Sequence, residues 1–204
     1  MIKFWNEWIK YGHVINVGIQ NTLAYRMNFL FRAVFTLIPL LANILLWKTI
    51  FSDKAEGDMI GAYNLSQMVS YYLLILIVNS MTAVNEDDWQ IAADIRNGVI
   101  SQFLLKPMDY LTFRFSLFLA NRLIYILVAT IPVGLFLLWQ RNYWTAPVSM
   151  EALMLSILSL SLTGLLQFLI SFTMALLAFW VLEVATFIFI LYAFEYIAGG
   201  HLFP

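Results

Sequence analysis

The 204-residue sequence is 62% hydrophobic and only 11% charged, whereas a typical soluble domain is about 45–50% apolar and about 25% charged. Eleven Lys and Arg residues against 12 Asp and Glu residues give a net charge of −1, and no basic block interleaves with aromatic residues. These features exclude a nucleic-acid-binding protein, and the lack of cysteine excludes disulfides, thiolate metal sites and a cysteine nucleophile. The composition predicts an integral membrane protein.

The N-terminal region, residues 1–26, carries an amphipathic helical pattern. Its apolar face is formed by Ile2, Trp5, Trp8, Ile9 and Gly12, and polar and charged residues occupy the opposite face. This pattern is typical of a helix that lies in the cytoplasmic headgroup layer with its tryptophans at the boundary. The alternative is a poorly ordered tail. The region lacks the continuous apolar core and small-residue cleavage site of a signal peptide, so we expect it to be retained.

Five apolar runs are long enough to cross a bilayer, which takes about 20 residues. They are residues 27–51, 65–84, 115–139, 152–180 and 184–203. The last two form one nearly continuous run, which as a single helix would be about 78 Å long and therefore must cross twice. We place the turn at residues 180–183, where a tryptophan and a charged residue coincide.

The distribution of Lys and Arg predicts the orientation, because these residues are enriched in cytoplasmic loops. Eight of the 11 lie on the side of the N-terminus and three on the other side. We therefore expect the N-terminus and residues 85–110 to be cytoplasmic, and five crossings place the C-terminus outside.

The cytoplasmic residues 85–110 contain two short amphipathic stretches. Trp89, Ile91 and Ile95 recur at helical spacing after an acidic cluster, which favours the start of a helix. Gly98 is expected to end this helix, and a second apolar piece runs from there to Pro107. The pattern predicts two helices along the membrane surface. An amphipathic connector that only caps the bundle would have the same pattern.

The run DIRNGVISQFLLKPMDYLTF resembles the cytoplasmic loop of ABC-2 type transporter permeases. The matching positions are Asp94, Ile95, Arg96, Gly98, Phe103, Leu104, Leu105, Lys106 and Pro107. The stretch AYRMNFLFR, residues 24–32, is similar to the start of the first span in that family, and Gly199, Gly200 and Pro204 resemble the outer end of the fifth span. The family more often has glutamate at the position of Asp94. Because these permeases continue into a sixth span, we expect one here beyond residue 204.

The resemblance implies an all-α integral membrane protein: an ABC-2, type V exporter-like helical bundle with an N-terminal interfacial helix. It implies a permease subunit that dimerises with itself or with a homologous permease and binds two copies of a separate ATP-binding subunit. The chain has no G-x-x-x-x-G-K-[ST] motif, so we expect no cofactor in this chain and ATP and Mg²⁺ in the partner. The expected setting is the inner, cytoplasmic membrane of a bacterium, and the expected activity is export of an amphipathic or hydrophobic substrate.

The resemblance also implies roles for residues of the cytoplasmic segment. The coupling helix, which sits in a groove of the ATP-binding subunit, corresponds to Trp89, Ile91, Asp94, Ile95, Arg96, Asn97 and Gly98. The gate helix beside it corresponds to Phe103, Leu104, Leu105, Lys106 and Pro107.

Ionisable residues within predicted spans are further candidates, because burying them in a membrane is costly. Arg122 either reaches the cytoplasmic headgroups or faces a cavity with its neighbour Asn121. Glu195 lies midway along the fifth run, where it serves either substrate passage and gating or a structural hydrogen bond. Gly199 and Gly200 are candidate gating residues at the outer end.

Two other functions remain as alternatives. A membrane anchor or assembly subunit would need the same spans but no coupling helix. An intramembrane enzyme would need convergent acids, bases or metal ligands, yet the two histidines, His13 and His201, lie near opposite ends of the chain. The enzyme is the weaker alternative.

Overall fold

The computed structural model describes residues 2–24, 26–53, 58–82, 87–143, 149–181 and 183–200. The α-helices in these residues are α1 Ile2–Ala24, α2 Arg26–Ile50, α3 Leu65–Thr82, α4 Asp87–Arg96, α5 Tyr110–Trp139, α6 Met150–Leu176 and α7 Ala185–Ala198. Shorter 3₁₀ segments are Val99–Leu105, Arg141–Tyr143 and Leu177–Phe179. The described part of the chain contains no β-strand beyond an isolated bridge, so the prediction of an all-α fold is confirmed.

The main core lies where α2, α3 and α5 pack together. Its buried residues are Ala33, Leu40, Ile44, Met68, Val69, Tyr72, Leu73, Leu76, Tyr125, Ala129 and Val133. Small residues on α2 and α5 allow close approach of the helices, which is how membrane helices gain packing energy without a hydrophobic driving force. The Tyr72 hydroxyl accepts a hydrogen bond from Trp47 Nε1 at 3.1 Å. The three helices form one closely packed unit, which we call the α2–α3–α5 body.

Helix α1 packs along the first half of α5. A Cβ atom on Gly18 would lie 2.9 Å from Ala120 Cβ, so the two backbones approach too closely for a side chain there. Thr22 Oγ1 donates to Asn121 Oδ1 at 2.6 Å, and Lys10 Nζ donates to the carbonyl oxygen of residue 107 at 2.8 Å. The tryptophan side chains of the predicted interfacial face, and Tyr25 at the start of the first span, lie outside the described part.

Four helices are long and apolar enough to cross a membrane: Leu30–Ile50, Leu65–Thr82, Tyr110–Trp139 and Met150–Phe179. Helix α5 has 30 residues and therefore rises about 45 Å, whereas a hydrocarbon core about 30 Å thick needs about 20 residues. Counted back from Trp139, the crossing begins near Leu119. The first turns of α5, which contact α1 and α4, then extend beyond the length that a crossing requires.

The predicted fifth span differs from the structure in length. Helix α7 has 14 residues, a rise of about 21 Å, which is shorter than a full crossing. Just beyond its C-terminal end the Tyr71 hydroxyl donates to the carbonyl oxygen of Gly200 at 3.1 Å, and Tyr71 is six residues after the start of α3. Gly200 therefore lies beside the second turn of α3 and not beyond its end. Residues 201–204 and the expected sixth span lie outside the described residues.

The predicted second amphipathic helix also differs, because residues 99–105 form a 3₁₀ segment. Gly98 precedes it with φ +70°, a left-handed conformation that glycine adopts without strain. Lys106 ends it in an extended conformation, as expected for a residue before proline. The seven residues between these two boundaries form a long run for a 3₁₀ helix, which rarely exceeds about four residues.

Candidate functional site

Helix α4 lies with its apolar face against the start of α5 and the end of α6. Ile91, Ala92 and Ile95 are buried with Ala175 of α6, and Phe172 packs against the same cluster. Of the predicted coupling residues, Ile91 and Ile95 therefore face the bundle rather than a partner. Arg96, Asn97 and Gly98 are exposed. The amphipathic pattern revealed an apolar face but not that this chain itself covers it.

An ion pair joins α4 to α5. The Arg114 guanidinium, 6% exposed, forms a salt bridge with the Asp94 carboxylate. The same carboxylate oxygen accepts a hydrogen bond from the Tyr110 hydroxyl at 2.8 Å, and Arg114 Nε donates to that hydroxyl at 3.1 Å. Arg114 Nη1 also donates to Gln90 Oε1 at 3.3 Å. Asp94, the predicted acidic residue of the coupling helix, thus fixes α4 to the start of α5.

The first turn of α4 contacts α7. Asp88 is 0% exposed; its Oδ1 accepts from the Trp89 backbone N–H at 2.9 Å, and its Oδ2 accepts from the Tyr192 hydroxyl at 2.5 Å. The Trp89 ring meets the Phe189 ring edge-to-face with centroids 5.7 Å apart. Two consecutive residues of α4 therefore hold one face of α7.

A small cavity opens beside this contact. It has a volume of about 120 Å³ and is lined by Trp89, Ala92, Arg96, Ala178, Glu183, Val184, Ala185 and Ile188. Its walls come from α4, from the turn between α6 and α7, and from the first turn of α7. Helix α4 is therefore less completely packed on its α7 side.

The 3₁₀ segment Val99–Leu105 has one packed side and one exposed side. The Phe103 ring packs against the rings of Tyr110 and Phe113, each with centroids 4.9 Å apart. Leu104 and Leu105 are 87% and 90% exposed. Lys106 Nζ lies 4.6 Å from the centroid of the Phe103 ring. Phe103 anchors the predicted gate helix to α5, while its two leucines remain accessible.

Arg122 contacts the C-terminal end of α3. Its Nη1 donates to the carbonyl oxygen of Ser80 at 2.9 Å, and that carbonyl lies in the last turn of α3, where carbonyl groups lack helical partners. The guanidinium carbon is 5.5 Å from the centroid of the Phe118 ring and 5.8 Å from that of Tyr125. Asn121 contacts Thr22 of α1 instead. The hydrogen bond to α3 favours a structural role for Arg122.

Glu195 finds its partner on α6. Its Oε1 accepts a hydrogen bond from Gln167 Nε2 at 2.5 Å, a residue that the sequence did not single out. Gly199 N–H donates to the Glu195 carbonyl oxygen at 2.7 Å, and Gly200 follows with φ +74°. The two glycines thus end α7, and Glu195 links α7 to α6 within the membrane.

A second cavity lies at membrane depth between α2, α3 and α7. It has a volume of about 160 Å³ and is lined by Thr36, Pro39, Leu40, Asn43, Tyr72, Ile75, Leu76, Asn79 and Tyr196. Four of these nine side chains are apolar, and the other five contribute two amides and three hydroxyls. The cavity therefore combines an apolar wall with hydrogen-bonding groups.

Sequence reasoning missed several residues that complete this site. They are Asp88, Gln90, Tyr110, Arg114, Gln167 and Tyr192. Arg114 contributed only to the count of cytoplasmic cations, because its partner Asp94 lies 20 residues earlier in the chain. The sequence did show an acidic residue on a short amphipathic helix and a basic residue in the first turns of the next span. That combination could have predicted an ion pair between the two helices. Groups of His, Asp or Glu able to hold a metal ion are not found among the described residues.

Comparison with known proteins identifies the family. The family model of ABC-2 family transporter proteins matches residues 37–200, from α2 to the end of α7. No curated protein and no solved structure shows a significant match to this chain. The family match agrees with the apolar spans of the structure. The chain therefore belongs to the ABC-2 family of transporter proteins, as a membrane-integral permease subunit.

Proposed function

We propose that the chain pairs with a separate ATP-binding subunit, through α4 and the residues that follow it. The observation that carries this proposal is the orientation of α4, whose buried face holds it to α5 and α6 while Arg96, Asn97 and Gly98 are exposed. Because its apolar face is packed on the bundle, α4 can be displaced by a bound partner without separating from α5 and α6. The family match supports the same partner, because a permease of this family works with an ATP-binding subunit.

Two permease chains and two ATP-binding subunits form the proposed transporter, in the cytoplasmic membrane of a bacterium with α4 on the cytoplasmic side. ATP binding draws the two ATP-binding subunits together and carries the coupling helices with them. Packed helices move between discrete arrangements, so a shift at the cytoplasmic end reorients whole helices. The 3₁₀ segment Val99–Leu105 is the proposed gate helix at the cytoplasmic entrance of the substrate path.

The proposed substrate is amphipathic or hydrophobic and moves outward. The cavity of about 160 Å³ between α2, α3 and α7 supports this class, because apolar side chains line it together with Asn43, Asn79 and Tyr196. Such a lining suits a molecule with both apolar and hydrogen-bonding parts. Glu195 is next to the cavity residue Tyr196 in α7 and is a proposed gating residue. Its hydrogen bond with Gln167 of α6 is the contact that would change when the gate opens.

Site-directed photo-crosslinking tests the pairing with an ATP-binding subunit. The chain has no cysteine, so Asn97→Cys carries the only thiol and can hold a photo-crosslinker in native membranes. The matched variants are Ile91→Cys, whose position is 1% exposed, and Met59→Cys, whose position is 60% exposed beyond the opposite end of α2.

We expect position 97 to capture a P-loop ATPase. The purified crosslinked complex should hydrolyse ATP, and vanadate should inhibit this hydrolysis. Positions 91 and 59 should not capture it, the first because it is buried and the second because it lies on the outer side. Capture of lipid alone at position 97 contradicts the proposal and favours the anchor or assembly subunit.

A further inference from the structure

Helix α7 is joined to the rest of the bundle mainly by polar contacts. Ile188 is its buried residue, whereas Phe189, Ile190, Phe194 and Ile197 are exposed. Among the described residues, Tyr192 donates a hydrogen bond to α4, Gln167 of α6 donates to Glu195, and Tyr71 of α3 donates to Gly200 just beyond the helix. A helix with so little buried apolar surface can shift without opening a large cavity in the core.

The contact with α4 joins a hydrogen bond and an aromatic contact on adjacent residues. Asp88 is fully buried and accepts hydrogen bonds from the Tyr192 hydroxyl and from the backbone N–H of Trp89. The adjacent Trp89 ring contacts Phe189, which is three residues before Tyr192 and so on the same face of α7. Moving α4 must either break both contacts or move α7.

The other contacts of α4 lead to elements that are held more firmly. Its ion pair through Asp94 reaches Arg114 of α5, which belongs to the α2–α3–α5 body. Its apolar face reaches the end of α6, and Phe168 of α6 is buried against Phe115 and Phe118 of α5. Of the three helices that α4 contacts, α7 is thus the least restrained.

We infer that Asp88 and Trp89 are the contact through which the coupling helix moves α7, with Tyr192 as the positioning residue that receives the motion. This inference rests on the proposed function, since it requires an ATP-binding subunit that displaces α4. Tyr192 and Glu195 lie three residues apart on one face of α7. A displacement received at Tyr192 therefore changes the Glu195–Gln167 contact one turn further into the membrane.

The test measures ATP-driven movement of α7 in the complex of this chain with the ATP-binding subunit that it captures. Leu135→Cys and Ile197→Cys place one spin label on α5 and one on α7, at positions 65% and 66% exposed. The chain is labelled before the ATP-binding subunit is added, and labelled chains are diluted with unlabelled ones. The label-to-label distance is measured without nucleotide and with ATP plus vanadate.

Tyr192→Phe removes only the hydroxyl and keeps the ring. We expect it to lower the population of the ATP-shifted state by up to roughly tenfold, which is the upper range for the loss of one hydrogen bond, while the ATP-binding subunit stays bound. Asp88→Asn keeps one carbonyl oxygen and should retain part of the shift. Phe194→Leu, at an exposed position of the same helix, should leave the shift unchanged.

An undiminished shift in Tyr192→Phe overturns the inference. If circular dichroism shows that Tyr192→Phe loses helix, the Asp88→Asn variant is used instead. An undiminished ATP-driven shift of α7 in Asp88→Asn then overturns the inference. If the unmodified complex hydrolyses ATP but α7 does not move, the inference fails and the proposed function stands. If no ATP-binding subunit is captured at all, the proposed function fails and the inference falls with it.

Discussion

The α2–α3–α5 body and the group formed by α4, α6 and α7 are held together by different forces. In the body, 11 buried residues pack in one apolar cluster across three helices. In the second group, the apolar cluster around α4 has four buried residues, and the links between its helices include Asp88–Tyr192 and Gln167–Glu195. Close apolar packing holds the α2–α3–α5 body together, whereas a few hydrogen bonds hold the second group together.

This difference suits a protein that must stay folded while part of it moves. Close-packed interiors resist small changes because every displacement opens voids or creates clashes. Interhelical hydrogen bonds in membranes contribute about 0.6 kcal/mol on average and up to about 1.7 kcal/mol, so they can exchange partners at low cost. We therefore assign the moving parts to α4 and α7 and the stationary frame to the α2–α3–α5 body.

The largest expected effect comes from breaking the ion pair that joins the two regions. Arg114→Leu leaves the Asp94 carboxylate, whose side chain is 20% exposed, without its cation. Removing one partner of a buried pair costs about 3–5 kcal/mol, so we expect the free energy of unfolding in detergent to fall by about that amount. Arg141→Leu, at an exposed position outside the bundle, is the control.

The double variant Asp94→Leu with Arg114→Leu sharpens this prediction, because replacing both partners by apolar residues is often neutral. We expect it to be more stable than Arg114→Leu alone. A double variant that is less stable than either single variant would show that the ion pair is not the link between α4 and α5.

The next effect tests close packing on the stationary frame. Gly18→Leu inserts a side chain where a Cβ atom would already lie 2.9 Å from Ala120 Cβ. Overpacking of this kind costs about 1–3 kcal/mol, measurable as a lower free energy of unfolding and as faster proteolysis of α1. Gly12 on the same helix has no atom within 4 Å of its ideal Cβ, so Gly12→Leu should not destabilise the chain. Equal losses in both variants would contradict the packing of α1 on α5.

A smaller effect is expected at the polar pair within the membrane. Gln167→Leu removes the donor to Glu195 and should lower the free energy of unfolding by about 0.6–1.7 kcal/mol. If the pair also controls substrate passage, the rate of ATP-driven transport into vesicles should fall by more than the loss of folded protein explains. Leu162→Val, at an exposed position of α6, is the control. Transport that follows stability alone would restrict Glu195 to a structural role.

The smallest effect is expected on the exposed side of the 3₁₀ segment. Leu105→Ala should change the free energy of unfolding by less than about 0.5 kcal/mol, as surface substitutions usually do. Phe103→Ala, two residues earlier, removes a ring packed on Tyr110 and Phe113 and should cost about 1–2 kcal/mol. A thermal unfolding comparison of the two variants separates the anchoring side from the accessible side.

The sequence predicted those features that local pattern determines. Apolar runs placed α2, α3, α5 and α6, because a bilayer crossing requires length and apolarity together. The break at Gly98 followed from a residue suited to positive φ. Helix α7 covers 14 residues of the apolar run that was predicted as the fifth span, because hydropathy does not indicate where a helix begins and ends.

Contacts between distant residues could not be predicted in the same way. The pattern of α4 showed that Ile91 and Ile95 share an apolar face, but a partner protein and the end of α6 would both have suited that face. Likewise, Asp88 and Tyr192 are 104 residues apart, and nothing in the local sequence of either pairs them. Tertiary packing determines these contacts, and they are the ones on which the proposed motion depends.

The most direct test of the account compares ATP-driven movement in the two regions of one complex. Spin labels on α2 and α5, at Leu45→Cys and Leu135→Cys, report on the frame, and labels at Leu135→Cys and Ile197→Cys report on α7; all three positions are exposed. We predict that ATP plus vanadate changes the distance between α5 and α7 and leaves the distance between α2 and α5 unchanged. Equal changes in both distances, or a change between α2 and α5 alone, would contradict the division into a fixed body and a moving helix.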